Sequence, residues 1–219
     1  MLRPALSSSA LLRPALLASL LACAAGTALA EPGYFRVTGV ASDDTLNVRA
    51  EPDAGSADIG DLAHDQSAVE VLDTDASGDW GRITWEESHG WVAMRFLTPE
   101  ELPMIGDSRL PAGLLCTGTE PFWSIRYTAD TALYSDFNNN TANLPMTDQL
   151  TAAGRAGFPV LLRHGASNVT ATAVIRAQLC SDGMSDRDYP YAAGLMIEAG
   201  KERILFDGCC RLPLEAGSN

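Results

Sequence analysis

The chain has 219 residues, with 28 acidic residues against 15 lysines and arginines, so its formal net charge is −13 at pH 7. Such a negative field disfavours nucleic acids and anionic lipid surfaces, because lysine and arginine supply the affinity for both. We therefore expect no nucleic-acid partner. The length suits two small domains better than one large domain.

Residues 1–30 have the pattern of a secretory signal peptide. Arg3 and Arg13 precede an apolar run at 14–25, and residues 28–30 (ALA) have the small-x-small pattern of a cleavage site, so we expect cleavage after Ala30. The run is too short to span a membrane, and no second apolar run of about twenty residues follows. We expect a periplasmic or secreted protein without a transmembrane segment. The alternative is a lipobox, LLAC, which would place a lipid on Cys23, although the apolar stretch before it is short.

The next segment, residues 31–99, is predicted to form a small β barrel. Residues 45–49 (TLNVR) alternate apolar and polar side chains, which is the period of a half-buried strand, and a turn with Pro52 follows. Further short strands are predicted at 69–72, 80–85 and 91–94. Four or five short strands separated by turns are typical of a small barrel.

This segment resembles the bacterial SH3 (SH3b) family between residues 34 and 97. The matching strings, in chain order, are LNVR at 46–49 with Pro52, IGDL at 59–62, VEVL at 69–72, WGRI at 80–83, GWV at 90–92 and the closing FL at 96–97. The resemblance implies a non-catalytic module that often binds peptidoglycan or other envelope ligands. A cell-wall peptide or an envelope protein is therefore the expected partner.

Four aromatic residues of this segment are candidate ligand contacts, because aromatic side chains combine a large contact area with a polar edge. They are Tyr34, Trp80, Trp85 and Trp91. The alternative is that some of them only fill the barrel. Trp80 and Trp85 are an odd number of residues apart, so a regular strand would place one in the core and the other in solvent.

Residues 100–113 are predicted to be a linker, and 114–219 a second, disulfide-bonded β domain. This domain carries four cysteines, which in an exported chain imply two disulfides: Cys116, Cys180, Cys209 and Cys210. A bond between the adjacent Cys209 and Cys210 needs a strained peptide. Each of these two is therefore expected to pair with either Cys116 or Cys180, in an order that the sequence leaves open.

Strand patterns recur through the second domain, at 123–127, 132–135, 159–163, 169–175, 193–198 and 204–206, with one possible helical turn at 148–153. Antiparallel strands in a barrel or a curled sheet are expected. The predicted fold class is thus all-β, an SH3-like small barrel followed by a second disulfide-bonded antiparallel β domain. We expect a monomer.

Three strings of this domain resemble an uncharacterised family of bacterial envelope proteins: CTGTEPFW at 116–123, CSDGMSDRDYPY at 180–191 and GCC at 208–210. The resemblance implies no settled activity. Residues of these strings that could share one ligand-binding surface are Glu120, Trp123, Asp186, Arg187 and Tyr189. The alternative is that they serve packing and turns.

No complete catalytic set is found, and no catalytic residue, metal or cofactor is predicted. The end of the GCC string, residues 208–211, resembles the end of an L,D-transpeptidase active site, but a cysteine nucleophile needs a nearby base and the nearest histidine, His164, is far outside that spacing. Three hypotheses follow: an exported binding protein, an inhibitor of a lytic enzyme such as lysozyme, and a cysteine enzyme acting on wall peptides. The first is favoured.

Overall fold

The computed structural model describes residues 31–155 and 157–214. The predicted signal peptide and Cys23 lie outside the described residues, as do the last five residues of the predicted second domain. The described residues contain no helix that is both long enough and apolar enough to cross a membrane. Of the described residues, 58% lie in strands and 2% in helix, which confirms the predicted all-β class.

The N-terminal domain, as we call residues 31–99, forms one antiparallel sheet of seven strands in the order β3-β2-β6-β5-β4-β1-β7. A short 3-10 helix, Met94–Phe96, separates the last two strands. The strands are β1 (Gly33–Val37), β2 (Thr45–Arg49), β3 (Asp58–Ala63), β4 (Val69–Thr74), β5 (Trp80–Trp85), β6 (Ser88–Ala93) and β7 (Leu97–Pro99).

Strand alternation builds the core of this sheet. In β2, Leu46 and Val48 are buried while their neighbours are not, as the alternation of the sequence predicts. The buried side chains that share this core are Val37, Leu46, Val48, Leu62, Val69, Val71, Ile83, Val92 and Leu97.

The remaining strands form a closed barrel of eight antiparallel strands, β8 to β15, which we call the barrel. Neighbours in the barrel are neighbours in the chain, and β15 closes the barrel against β8. The strands are β8 (Leu115–Thr119), β9 (Phe122–Tyr127), β10 (Thr131–Asp136), β11 (Thr141–Thr151), β12 (Val160–Ala166), β13 (Val169–Cys180), β14 (Tyr189–Ala199) and β15 (Glu202–Arg211).

The helical turn predicted at 148–153 is wrong. Residues 148–151 continue β11, whose register against β12 shifts between Met146 and Asp148. The extra residue of such a bulge interrupts the alternation of side chains, so the local pattern no longer reads as a strand. Pairing with β12 nevertheless keeps the backbone extended to Thr151.

Residues 100–113, predicted as a linker, connect the two sheets and also pack into the barrel. Ile105 and Leu110 are fully buried in the barrel core, together with Leu114. The backbone N–H of Ile105 donates to the carbonyl oxygen of Leu110 at 2.9 Å, which closes this segment into a compact loop. The connection therefore leaves little free chain between the two domains.

The barrel contains two disulfides, as predicted, and the structure gives their order. Cys116 pairs with Cys210 across β8 and β15, and Cys180 pairs with Cys209. Cys209 and Cys210 are consecutive in β15, so their side chains point to opposite faces of the strand. The Cys116–Cys210 bond is fully buried in the barrel core, whereas Cys180 is only half-buried.

Candidate functional site

The candidate aromatic residues of the N-terminal domain do not lie on one face of the sheet. In β5, Gly81 and Ile83 are buried, so Trp80 lies on the opposite, outer face and Trp85 on the core side. This confirms that Trp80 and Trp85 face opposite ways. The expectation that one is core and the other exposed is wrong, because both are half-buried.

Trp85 is held at the edge of the core. Its indole N–H donates to the carbonyl oxygen of Ile59 at 3.1 Å. The ring lies directly over Gly60, where an added Cβ would come within 2.2 Å of the indole. A glycine is therefore required at residue 60 to seat the ring, which accounts for the half-burial of Trp85.

The outer face carries an aromatic surface, defined here as Trp80, Trp91 and Arg49. Trp91 of β6 pairs in register with Arg82 of β5 on one side and with Arg49 of β2 on the other. Trp80 pairs with Ala93, two residues further along β6, so Trp80 and Trp91 are diagonal neighbours. Diagonal neighbours lie roughly 7 to 8 Å apart, within reach of aromatic side chains. All three residues of the aromatic surface are half-buried.

Tyr34 contacts the barrel. Its hydroxyl lies 2.8 Å from the hydroxyl of Tyr191 on β14. Burial, followed by the nearby Glu70 carboxylate, raises the pKa of the Tyr34 phenol far above its usual value. Tyr34 is therefore a neutral hydrogen-bonding residue of the interdomain contact.

Glu70 is a buried carboxyl group in the same contact. It pairs in register with Tyr34 and is only 5% exposed. Both carboxyl oxygens lie 3.2 Å from the backbone nitrogen of Leu212, which donates to them. Burial raises the pKa of Glu70 to about 8, against the opposing effects of this hydrogen bond and of Arg211. Sequence reasoning missed this residue, because a single glutamate in a strand gives no sign of what covers it.

Within the string at 180–191, residues 181–188 form the loop between β13 and β14, which Asp182 organises. Its carboxylate accepts hydrogen bonds from the backbone nitrogens of Met184 and Ser185, both at 2.9 Å, and from the Tyr189 hydroxyl at 2.7 Å. Burial would raise the pKa of Asp182, but these hydrogen bonds outweigh it and lower the pKa to about 2. Tyr189, a predicted site residue, is buried and anchors this loop.

Asp186 and Arg187 hold the loop against the β5–β6 hairpin of the N-terminal domain. The backbone nitrogen of Asp186 donates to the carbonyl oxygen of Glu87 at 3.0 Å. The guanidinium of Arg187 donates to the carboxylate of Glu87 at 2.9 Å and to the carbonyl oxygen of Glu86. These two predicted site residues therefore join the domains.

Arg82 completes the contact between the domains. It donates to the carboxylate of Asp73 in its own domain at 2.9 and 3.0 Å and to the carboxylate of Asp188 in the barrel. The hydrogen bonds to Asp73 contribute most to the raised pKa of Arg82. Thr84 also donates to the carbonyl oxygen of Asp188, at 3.3 Å. Arg82 and Asp188 were not among the predicted site residues.

Trp123 and Glu120, the other two predicted site residues of the barrel, lie outside the interdomain contact. Trp123 is 4% exposed and packs in the barrel core beside Phe206, with ring centroids 5.8 Å apart. Its ring lies over Gly118 and Gly208, where an added Cβ would come within 2.0 and 2.6 Å of the indole. Glu120 is exposed in the β8–β9 turn. The structure thus brings Asp186 and Arg187 of the loop together with Tyr189, which begins β14 and anchors the loop, and leaves Trp123 inside the barrel.

Comparison with known families concerns the first domain. Residues 44–98 match the profile of the bacterial SH3 domain family. This part of the chain is a bacterial SH3 domain. The match runs from the start of β2 to β7, and β1 extends the same sheet. Searches among curated proteins and among solved structures found no match.

Bacterial SH3 domains are commonly binding modules, often for the cell wall. The two disulfides of the barrel, together with a bacterial SH3 domain, fit an extracytoplasmic location. The aromatic surface and the interdomain contact both belong to the SH3 domain sheet, on its outer face.

Proposed function

We propose that this protein is an exported, non-catalytic binding protein of the periplasm or the cell surface, whose SH3 domain recognises a peptide of the cell wall or of an envelope protein. The observation that carries the proposal is the bacterial SH3 domain at residues 44–98. Engagement of all four barrel cysteines in disulfides supports a structural role for them.

The aromatic surface supports the choice of ligand. Trp80 and Trp91 are neighbouring indoles on the outer face, and Arg49 lies across the strand pair from Trp91. Indoles and guanidinium groups are the side chains that most often dominate the binding energy of an interface. A peptide that stacks on the indoles fits this arrangement, with a polar group directed to the guanidinium of Arg49, which also donates to the carbonyl oxygen of Ser56 at 3.0 Å.

Tyr34 and Trp85 are less suited to this role. The Tyr34 hydroxyl is bound to Tyr191. The Trp85 indole is bound to the carbonyl oxygen of Ile59 and lies on the other face of β5. We therefore place the ligand on the aromatic surface rather than on all four aromatic residues.

A pull-down of residues 31–219 with purified peptidoglycan sacculi tests the proposal. Wild-type protein should be retained, and Trp80→Ala with Trp91→Ala together should reduce retention about tenfold or more. Phe122→Ala, at an exposed aromatic residue of the barrel, is the matched control and should be retained like wild type. Absence of wild-type retention would refute wall binding, and full retention of the double variant would refute the aromatic surface.

A further inference from the structure

One end of the barrel holds a cavity of about 300 Å³. The cavity and the interdomain contact lie at opposite ends of β14. Tyr191, near the start of this strand, contacts the SH3 domain, and Ala199, at its end, lines the cavity. The cavity therefore opens at the barrel end away from the SH3 domain, where its occupation would not compete with the interdomain contact.

Apolar side chains form the floor of the cavity. Ile197 of β14 pairs with Ile204 of β15, and Tyr134 of β10 pairs with Ala142 of β11. Tyr134 and Ile197 are 6% and 8% exposed, whereas Ile204 is 50% exposed at the lip. The floor thus belongs to the barrel core and the lip is open to solvent.

Small side chains create the space above this floor. Ala199 pairs with Val169 on one side and with Glu202 on the other, one level outside Ile197. Because side chains alternate along a strand, Ala199, Val169 and Glu202 all point toward the inside of the barrel, like Ile197. Because Ala142 and Ala199 fill little of the interior, the outermost level of the barrel remains hollow.

The rim of the cavity is acidic. Asp136 and Glu202 both line it, and no lysine or arginine is among the described residues that do. The Asp136 carboxylate accepts hydrogen bonds from the Asn140 side chain at 3.0 Å and from the backbone nitrogens of Asn138 and Asn140. The Asn140 side chain contributes most to the lowered pKa of Asp136. A fixed negative charge therefore lies at the mouth.

We propose that this cavity binds a small amphiphilic amine, with the apolar part against Tyr134 and Ile197 and the ammonium group between Asp136 and Glu202. Barrel mouths with an apolar lining and a few polar groups are common ligand sites. The ammonium group would be attracted by both rim carboxylates, and an anionic amphiphile of the same length would be repelled.

Methyl NMR of residues 31–219 tests the proposal, with octylammonium, octanol and octanoate as probes of equal chain length. Octylammonium should shift the methyl signals of Ile197 and Ile204 in a saturable way. Its dissociation constant should be about tenfold lower than that of octanol, from two partly solvated ion pairs. Octanoate should bind more weakly than octanol.

Three variants locate the site. Ala142→Phe fills the cavity and should abolish saturable shifts for all three probes. Ile204→Lys leaves the floor unchanged and places a cation at the lip, so octylammonium should bind at least tenfold more weakly. Glu202→Gln should weaken octylammonium several-fold but not octanol. Asp207→Asn, on the opposite face of β15, makes the same charge change outside the cavity and is the matched control.

Absence of a saturable shift with octylammonium would overturn the site. Equal affinity for octylammonium and octanoate would overturn the amine as its ligand. Unchanged octylammonium binding by Ile204→Lys, or an equal loss in Glu202→Gln and Asp207→Asn, would show that the amine binds elsewhere. Because Ile204→Lys alters only a half-exposed lip residue, the test does not depend on folding of the Ala142→Phe variant.

Discussion

The hydroxyl groups of Tyr34 and Tyr191 lie 2.8 Å apart across the contact between the SH3 domain and the barrel. Glu70, Arg82 and Arg187 reach the partner domain from the same contact. Two domains joined by this many polar contacts are expected to unfold together. Four predictions test this contact and the barrel core.

The Tyr34–Tyr191 hydrogen bond is tested by a double-mutant cycle. Tyr34→Phe and Tyr191→Phe should each lower the free energy of unfolding by about 1 kcal/mol, because each removes one partner of a buried hydrogen bond. The double variant should lose less than the sum of the two. Urea denaturation of residues 31–219 measures all four proteins, and strict additivity would show that the hydroxyls are not coupled.

Glu70 should make the protein less stable as pH rises. Its pKa in the folded protein is about 8, above the ordinary value of 4.5, so the folded state holds this proton more tightly than the unfolded state. Stability from this group is therefore complete below pH 4.5 and is lost between about pH 4.5 and 8.

Glu70→Gln keeps an acceptor for the Leu212 nitrogen but cannot ionise. It should match wild type at pH 4.5 and exceed it in denaturation free energy at pH 9. Glu100→Gln is a contrasting control, because the pKa of Glu100 is lowered rather than raised: its burial is outweighed by hydrogen bonds from Ala68, Ser67 and Arg36. A Glu70→Gln variant with the same pH dependence as wild type would contradict a buried, protonated Glu70.

Arg82 bridges Asp73 and Asp188, and its planar guanidinium is needed for both at once. Arg82→Lys should lower the free energy of unfolding by about 1 to 3 kcal/mol, since it leaves one partly buried carboxylate without its charged partner. Arg95→Lys, at an exposed arginine of the same domain, should change stability little. Equal effects of the two substitutions in thermal denaturation would refute the bridging role.

His164 lies fully buried in the barrel, and neither ring nitrogen has a hydrogen-bond partner among the described residues. Burial lowers its pKa to about 4 from 6.5. The folded state therefore holds fewer protons than the unfolded state between these values, and stability should fall as pH decreases from 6.5 to about 4.

His164→Leu should remove the loss of stability between pH 6.5 and about 4. It should also raise the free energy of unfolding at pH 7 by about 1 to 3 kcal/mol, since an unsatisfied polar group is replaced by an apolar one. His89→Leu, on a half-buried histidine of the SH3 domain, provides the comparison. A His164→Leu variant that retains the wild-type decline below pH 6.5 would assign that decline to other groups.

The SH3 domain was predicted well from the sequence because short, local residue patterns specify its strands. The alternation around Leu46 and Val48 specifies a strand and its buried face without reference to the rest of the chain. The two disulfides were predicted from four cysteines in an exported chain, and the strain of a bond between adjacent cysteines directed Cys209 and Cys210 to distant partners. Their order was not predicted, because it depends on which of Cys209 and Cys210 faces Cys116, and this is set by the register of β15 against β8.

The roles of the candidate site residues depend on contacts that are distant in sequence. Asp186 and Arg187 follow a glycine-containing loop string, yet their partners lie about a hundred residues earlier, in the β5–β6 hairpin. Tyr34 likewise meets Tyr191 from the other end of the chain. Residue type and spacing cannot show such contacts, so a ligand-binding surface was considered where the structure has an interdomain contact.

The burial of Ile105 and Leu110 in the barrel core limits how the barrel can move relative to the SH3 domain. Because the connecting segment is part of the barrel, the barrel cannot swing on a tether when the SH3 domain is bound to a wall. The nine residues of β14 from Tyr191 to Ala199 extend roughly 26 Å along the strand. In a wall-bound molecule the cavity would therefore lie at a fixed distance from the SH3 domain. Its mouth would face solvent, away from the interdomain contact.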